Sequence, residues 1–240
     1  MALRQAFCRQ LTLHEPDISW INARDRLAEF AHVLSITCSS LARIANEVFT
    51  LQRQEIGELA ERKNPGTVGS ITMPHKRNPE SSEQIVVLAR LIRANANILT
   101  ETMVGENERD ARTWKVEWAV FPELCQYTLA ASAMSRDLIS GLEVNTSAMA
   151  HNLGLEAASE RLLSQMSERL GKHNAQAVLQ KAFLQARDDN MTVAEALTGT
   201  ATPEELNQLS LINTGSASEM VDRVLKTARQ RRQHENEYWI

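Results

Sequence analysis

The apolar positions of the chain fall into helical periods over most of its length. From about Asn22 to Glu61 there is no proline, and Leu27, Leu34, Leu41 and Val48 recur every seven residues beside Phe30, Ile44 and Leu51. Apolar residues at that spacing predict an amphipathic helix with a narrow seam. At about 1.5 Å per residue the span would make a rod of about 60 Å, suited to a long bundle or an oligomer core. The serine pair Ser39-Ser40 leaves a second reading open, two shorter helices with a break between them.

Between Arg62 and Pro79 the pattern stops: Pro65, Gly66, Gly69, Pro74 and Pro79 are the densest group of helix breakers in the chain. Asn78-Pro79-Glu80 then reads as a helix start, with Asn at the cap, Pro at the first helical position and an acid in the first turn. Ile85, Leu88, Leu91, Ile92, Ile98 and Leu99 carry that helix to about Met103. After an irregular stretch around 105–112 another helix is expected from about Thr113 to Ser140, accommodating Pro122 and stopping at Gly141. Beyond Asn145 the apolar runs shorten, and Gly154, Gly171, Gly199, Pro203 and Gly215 separate shorter helical patterns. The expected organisation is all-α: a long helical bundle over 1–143 with a signature loop at 62–79, and a small C-terminal helical domain over 144–240.

Composition narrows the function classes. Nine glycines and six prolines in 240 residues supply few tight turns, which argues against a many-stranded sandwich or barrel. With 26 Lys and Arg against 30 Asp and Glu the chain carries a formal charge of −4, no footprint for nucleic acid or an anionic membrane. The short run Arg229, Arg231 and Arg232, followed by Glu235 and Glu237, reads as the end of a solvated helix. Cys8, Cys38 and Cys125 form no Cys-x-x-Cys pair, so a reducing, cytoplasmic setting is expected rather than a disulfide framework. No uncharged apolar run is long enough for a signal peptide or a membrane span. The six histidines include no His-Glu-x-x-His arrangement, so no metal site is expected, and no glycine-rich phosphate motif implies a nucleotide cofactor.

The chemistry concentrates in Gly69-Ser70-Ile71-Thr72-Met73-Pro74-His75-Lys76-Arg77-Asn78-Pro79. This span gathers a hydroxyl, an ammonium, an amide and backbone N–H donors at a helix N-terminus. Such donors favour an anion, and Lys76 adds a full positive charge, so a carboxylate or a developing enolate is held well. Ser70 could act on the held substrate, provided the positive field stabilises its alkoxide. The same residues also make a capped turn with Ser70 and Lys76 merely solvated.

The run resembles the signature of the fumarase/aspartase superfamily, G-S-S-x-M-P-x-K-x-N-P, through Gly69, Ser70, Met73, Pro74, Lys76 and Asn78. The resemblance implies an all-α homotetramer with a long central bundle, needing no cofactor and adding or eliminating across a carbon–carbon bond next to a carboxylate. It implies Ser70 as the general base alpha to that carboxylate, Lys76 and Asn78 as binders of the carboxylate and its aci-carboxylate intermediate, and Met73 as part of the binding turn. His75 is implied as a substrate-contact or loop residue. Ile71 departs from the pattern where a second serine often stands, and is expected to alter loop packing or substrate contacts more than proton transfer.

Met73 to Pro79 matches the branch that includes adenylosuccinate lyases and carboxymuconate cycloisomerases. Glu108-Arg109-Asp110-Ala111-Arg112-Thr113-Trp114-Lys115-Val116-Glu117-Trp118 separates the two. Where a nucleotide-phosphate arginine is expected this chain has Trp118, whose indole offers one neutral donor and no charge, so the cycloisomerase resemblance is stronger. Trp114 and Trp118, four apart, could form an apolar wall beside substrate or pack between helices. Arg109 and Arg112 could bind a second carboxylate or form surface ion pairs. The implied substrate is a small di- or tricarboxylate. The resemblance spans the chain but only about the C-terminal half of a family member, so the general-acid histidine is expected in a missing N-terminal half, in the same or a separate chain. A truncated, non-catalytic oligomerisation module is the alternative.

Overall fold

Small side chains bring the long helices of this protein together. The structure is a computed structural model and describes residues 2–18, 21–62, 77–153, 159–207 and 214–234. Three long helices, α2 (Asp25–Leu51), α3 (Glu80–Glu101) and α4 (Ala111–Ser140), pack against one another after a short α1 (Ala2–Gln10). The buried edge of α2 is Ala28, Ala31, Ser35, Cys38, Ala45 and Val48. The seven-residue repeat is therefore real, but most of its buried positions lie off the leucine register, and Leu27, Leu34 and Leu41 sit half-buried beside them. Alanine, serine and cysteine let the α2 backbone approach closely. The large side chains of the core come from its neighbours: Leu88, Ile92 and Leu99 on α3, Leu124 on α4. Each such burial contributes roughly 1.5–3 kcal/mol relative to exposure.

Helix boundaries differ from the sequence expectation; α3, for one, has Pro79 rather than Asn78 at its N-cap and begins at Glu80. The first long helix stops at Leu51, not near Glu61, so its 27 residues span about 40 Å. Gln52, Arg53, Gln54 and Glu55 offer no apolar face, and Gly57 takes the left-handed φ of 62° that turns the chain away. Nothing breaks at Ser39-Ser40; Cys38 is buried in mid-helix and the Ser40 hydroxyl donates to the Ile36 carbonyl. A further difference is the start of α4, which Asp110 caps by accepting from the Arg112 amide. Pro122 sits inside α4 on its outer side. Both Pro122 and Trp118 are exposed, so the carbonyl that loses its amide donor there lies on the solvent side.

Past Gly57 the chain forms a two-residue strand, β1 (Leu59–Ala60), which pairs antiparallel with β2 (Glu143–Val144) just after α4. Leu59 stands opposite Val144 and Ala60 opposite Glu143, and the Asn145 amide donates to the Glu58 carbonyl at 2.9 Å. Two-residue strands carry no periodicity and were not foreseeable. They matter because they tie the chain just before residues 63–76 to the chain just after α4.

The molecule divides into two compact units, Met1–Ala150 and His151–Ile240, with the division inside α5 (Thr146–Asn152). The second unit is built on α6 (Ser159–Leu170) and α7 (Lys172–Asp188), followed by α8 (Val193–Ala196), α9 (Pro203–Asn207) and α10 (Ala217–Arg232). Its core joins Leu162 and Met166 to Ala175, Leu179, Ala182, Val193 and Leu197. Thr192 and Glu195 close a reciprocal capping box on α8. Among the described residues no helix is long and apolar enough to cross a membrane, and no group of three His, Cys, Asp or Glu is placed to hold a metal.

Candidate active site

Of the sequence-derived site residues, Ser70, Met73, His75 and Lys76 lie outside the described residues. Asn78 is described, half-buried one residue from the N-cap of α3. The frame around it is well defined. Glu61, just after β1, is buried and uses its backbone N–H, its carbonyl and both carboxylate oxygens. Its amide donates to Gln52 Oε1 at 2.7 Å, and its carbonyl accepts from Arg77 Nη2 at 2.7 Å. Its carboxylate accepts from the Ser81 and Ser82 amides at 3.1 and 2.8 Å.

That last pair of bonds corrects one part of the sequence reading. The first-turn amides of α3 that could have held a substrate anion already hold an internal one, the Glu61 carboxylate. An anion at a helix N-terminus is stabilised by free N–H groups and by the helix dipole, and Glu61 takes up both. The N-cap residue itself is Pro79, which supplies no side-chain cap. The Ser81 and Ser82 amides are thus already committed to an internal anion.

Arg77 closes the frame from the other side. Its guanidinium meets the Glu143 carboxylate as a fork on a fork, Nη1 to Oε2 and Nη2 to Oε1, both at 2.9 Å, and its own carbonyl accepts from Gln52 Nε2 at 3.3 Å. The hydrogen bonds to Glu143 raise the Arg77 pKa, and those to Arg77 hold Glu143 below the usual carboxylate range. Both side chains remain substantially open to solvent, 38% and 52% exposed, so as an ion pair they add on the order of 1 kcal/mol or less to stability. The bidentate geometry fixes orientation more than it adds energy.

Beside this frame lies an open cleft of about 1000 Å³ whose lining includes Gln52, Arg53, Arg77, Glu83, Glu143 and Asn145. Glu83 is a cleft carboxylate that sequence reasoning missed. Its only sequence signal was an acid in a helix first turn, which equally suits the helix dipole.

Arg109, Arg112 and Trp114 lie elsewhere. Arg77 is bonded to Glu143, three residues past the end of α4, whereas Arg112 is in the first turn of α4. The thirty residues of that helix put about 45 Å between the two ends. At the far end Asp110 is buried, and its carboxylate takes the Arg112 Nε and Nη2 at 2.9 and 2.7 Å and the Arg112 and Glu106 amides at 3.0 and 3.2 Å. Glu106 adds a second contact to Arg112 Nη2 at 3.0 Å. These bonds push the Asp110 pKa far down and the Arg112 pKa up. Arg109 is exposed, and no ion pair among the described residues engages it. Trp114 is half-buried under the Arg24 guanidinium, 6.0 Å from ring centroid to Cζ, and Arg24 is ion-paired to Glu117. Trp118 is 69% exposed, so the two tryptophans form no wall within one chain.

The model of a family described as lyase matches residues 3–93. The chain is 32% identical over 232 residues to N-acetyl-S-(2-succino)cysteine lyase of Dickeya dadantii, covering 91% of this chain and 51% of that protein. It is 34% identical over 197 residues to 3-carboxy-cis,cis-muconate cycloisomerase of Pseudomonas aeruginosa, covering 79% of this chain and 43% of that one. Among solved structures, the 3-carboxy-cis,cis-muconate lactonizing enzyme from Pseudomonas putida matches with a TM-score of 0.77 at 30% identity, over 86% of this chain and 48% of that one. The fumarate lyase from Mesorhizobium sp. BNC1 matches with a TM-score of 0.80 at 26% identity, over 92% and 52%. The chain spans about half the length of the relatives it matches.

Proposed function

Because the chain belongs to the fumarase/aspartase superfamily, we propose that it supplies part of the active site of a lyase or cycloisomerase acting at a carbon alpha to a carboxylate. The observation that carries this reading is the Gly69 to Pro79 string, which leads into α3 beside the open cleft. Ser70 serves as general base and takes the proton from that carbon. Lys76 and Asn78 hold the adjacent carboxylate, whose charge grows as the aci-carboxylate forms. Met73 and His75 complete the binding turn.

Two substrate types fit this chemistry. In the cycloisomerase reading a substrate carboxylate adds across a double bond to form a lactone while the carbon alpha to another carboxylate gains a proton, which Ser70 delivers in this direction and takes back in the reverse one. In the second reading, supported by the similarity to N-acetyl-S-(2-succino)cysteine lyase across 91% of the chain, the substrate is a 2-substituted succinate. Loss of a proton from its C3 and of the substituent from its C2 leaves fumarate. Both need a second carboxylate held, a task that suits Arg109. Arg112 already has its fork filled, and Trp114 shapes the apolar side.

Asn78 precedes α3 and Arg109 follows it, with the helix's 22 residues putting about 33 Å between its two ends, so one chain does not bring them to one small substrate. The site is therefore assembled from more than one copy, in a homo-oligomer with tetramer as the favoured state. Phe30, Val33 and Ile36 on α2 and Leu129 and Ile139 on α4 support this, each at least 45% exposed on helices that otherwise form a core. The test is Ser70→Ala in the intact protein, assayed by lactone formation from 3-carboxy-cis,cis-muconate and by fumarate release from N-acetyl-S-(2-succino)cysteine and adenylosuccinate. Loss of at least about 10³-fold on the substrate that the wild type turns over supports the base role. Retained turnover removes Ser70 from it, and efficient cleavage of adenylosuccinate overturns the choice of branch.

A further inference from the structure

We infer that Arg77 is a positioning residue for the proposed reaction, held by Glu143, Gln52 and the Glu61 carbonyl so that the peptide leading into Asn78 is fixed relative to the cleft. The inference rests on the reading of Ser70, Lys76 and Asn78 given above, and deepens it. The Arg77 carbonyl and the Asn78 amide belong to one planar peptide unit, so the hydrogen bond from Gln52 Nε2 to that carbonyl orients the plane from which Asn78 departs. The side chain is fixed independently by three acceptors: both oxygens of Glu143 and the carbonyl of Glu61. Glu143 is in turn fixed by its place opposite Ala60 in the β1–β2 pair.

Glu61 couples the two sides of the frame. It joins Gln52 at the end of α2, Arg77 before α3 and the first turn of α3, through its amide, its carbonyl and its carboxylate respectively. Arg77 and Glu61, sixteen residues apart in sequence, are in direct contact, with Nη2 2.7 Å from the Glu61 carbonyl. A lysine keeps the charge but has no planar fork, and cannot reach two carboxylate oxygens and a carbonyl in one arrangement. An ion pair this exposed contributes little to stability, so its removal should show in catalysis and local order rather than in global unfolding.

The experiment compares Arg77→Lys, Arg77→Ala, Glu143→Ala and the double variant with the wild-type protein, and carries Ser70→Ala as control. Expected for Arg77→Lys is a fall in kcat of about 10- to 100-fold with KM changed less than about 3-fold and an unaltered melting temperature. The double variant should be no worse than the worse single one, because the two residues act as a unit. Guanidinium ion should restore part of the activity of Arg77→Ala. Independently of turnover, hydrogen exchange of the amides of Glu61 and Ser82 should accelerate in Arg77→Ala. Arg77→Lys within twofold of wild-type kcat, a loss confined to KM, multiplying losses in the double variant, or unchanged exchange would overturn the inference. If Ser70→Ala is inactive while Arg77→Lys is unimpaired, only the positioning role fails. If Ser70→Ala stays active, the base assignment itself fails.

Discussion

The two ends of α4 each hold an arginine against a carboxylate, by opposite means. At the far end Arg112 is tied to Asp110 and Glu106, neighbours two and six residues away, in contacts that cap the helix locally. At the near end Arg77 is tied to Glu143, sixty-six residues on, and to the carbonyl of Glu61, sixteen residues back. The local cluster organises a helix start and leaves Arg109 exposed. The long-range clasp joins β2, the end of β1 and the start of α3 into one frame. The difference teaches that similar ion pairs do different work depending on how much chain they close.

That contrast can be broken in several ways, and the largest effects should come from the groups assigned to touch substrate. Arg109→Ala should lower kcat/KM by at least about 10²-fold through loss of a charge-assisted carboxylate contact, read by steady-state kinetics. Arg112→Ala should cost less, since its guanidinium is already committed to Asp110 and Glu106; an equal loss would mean that substrate recruits it. Next in size is the rod between the ends. Ile92→Ala removes a fully buried side chain from the centre of the core and should destabilise by about 2–5 kcal/mol in denaturant unfolding, with kcat unchanged where the protein stays folded.

Smaller effects follow from titration and capping. Glu143 is held below the usual carboxylate range by Arg77, so its stabilising contribution is fully present above its unfolded pKa and is lost only as pH falls through the lower folded value. Arg77, raised above its ordinary value, stays charged throughout. The clasp should therefore be insensitive to pH near neutrality and open only in acid, where exchange of the amides around Glu61 should rise in wild type but already be high in Glu143→Ala. Outside the contrast altogether, Thr192→Ala in the second unit should cost about 1 kcal/mol by removing a capping box, with no change in kcat.

The helical character, the bundle and the relationship to the superfamily were legible in the chain because each has a strong local signal: seven-residue spacing on α2, clustered breakers at 62–79 and six signature identities. The end of α2 was not, because Leu51, Ile56 and Leu59 continue to look apolar while Gly57 and a two-residue strand redirect the backbone. The buried register of α2 was missed for a similar reason. Leucines advertise a seam, but the close contacts belong to Ala31, Cys38 and Ala45, whose small size carries little hydrophobic signal. The role of Glu61 was invisible, since a carboxylate capping a helix nineteen residues later leaves no local pattern. The separation of Asn78 from Arg109 appeared only once α3 was seen as one unbroken helix between them.

The measurement that tests the central claim most directly is complementation between copies. Ser70→Ala and Arg109→Ala proteins, each inactive alone, are dissociated, mixed in equal amounts and reassociated. If each site takes its signature string from one copy and its arginine from another, about a quarter of the sites in a random mixture carry both intact residues and activity returns to that level. A mixture that reassembles fully yet stays inactive would contradict a site built from opposite ends of different chains.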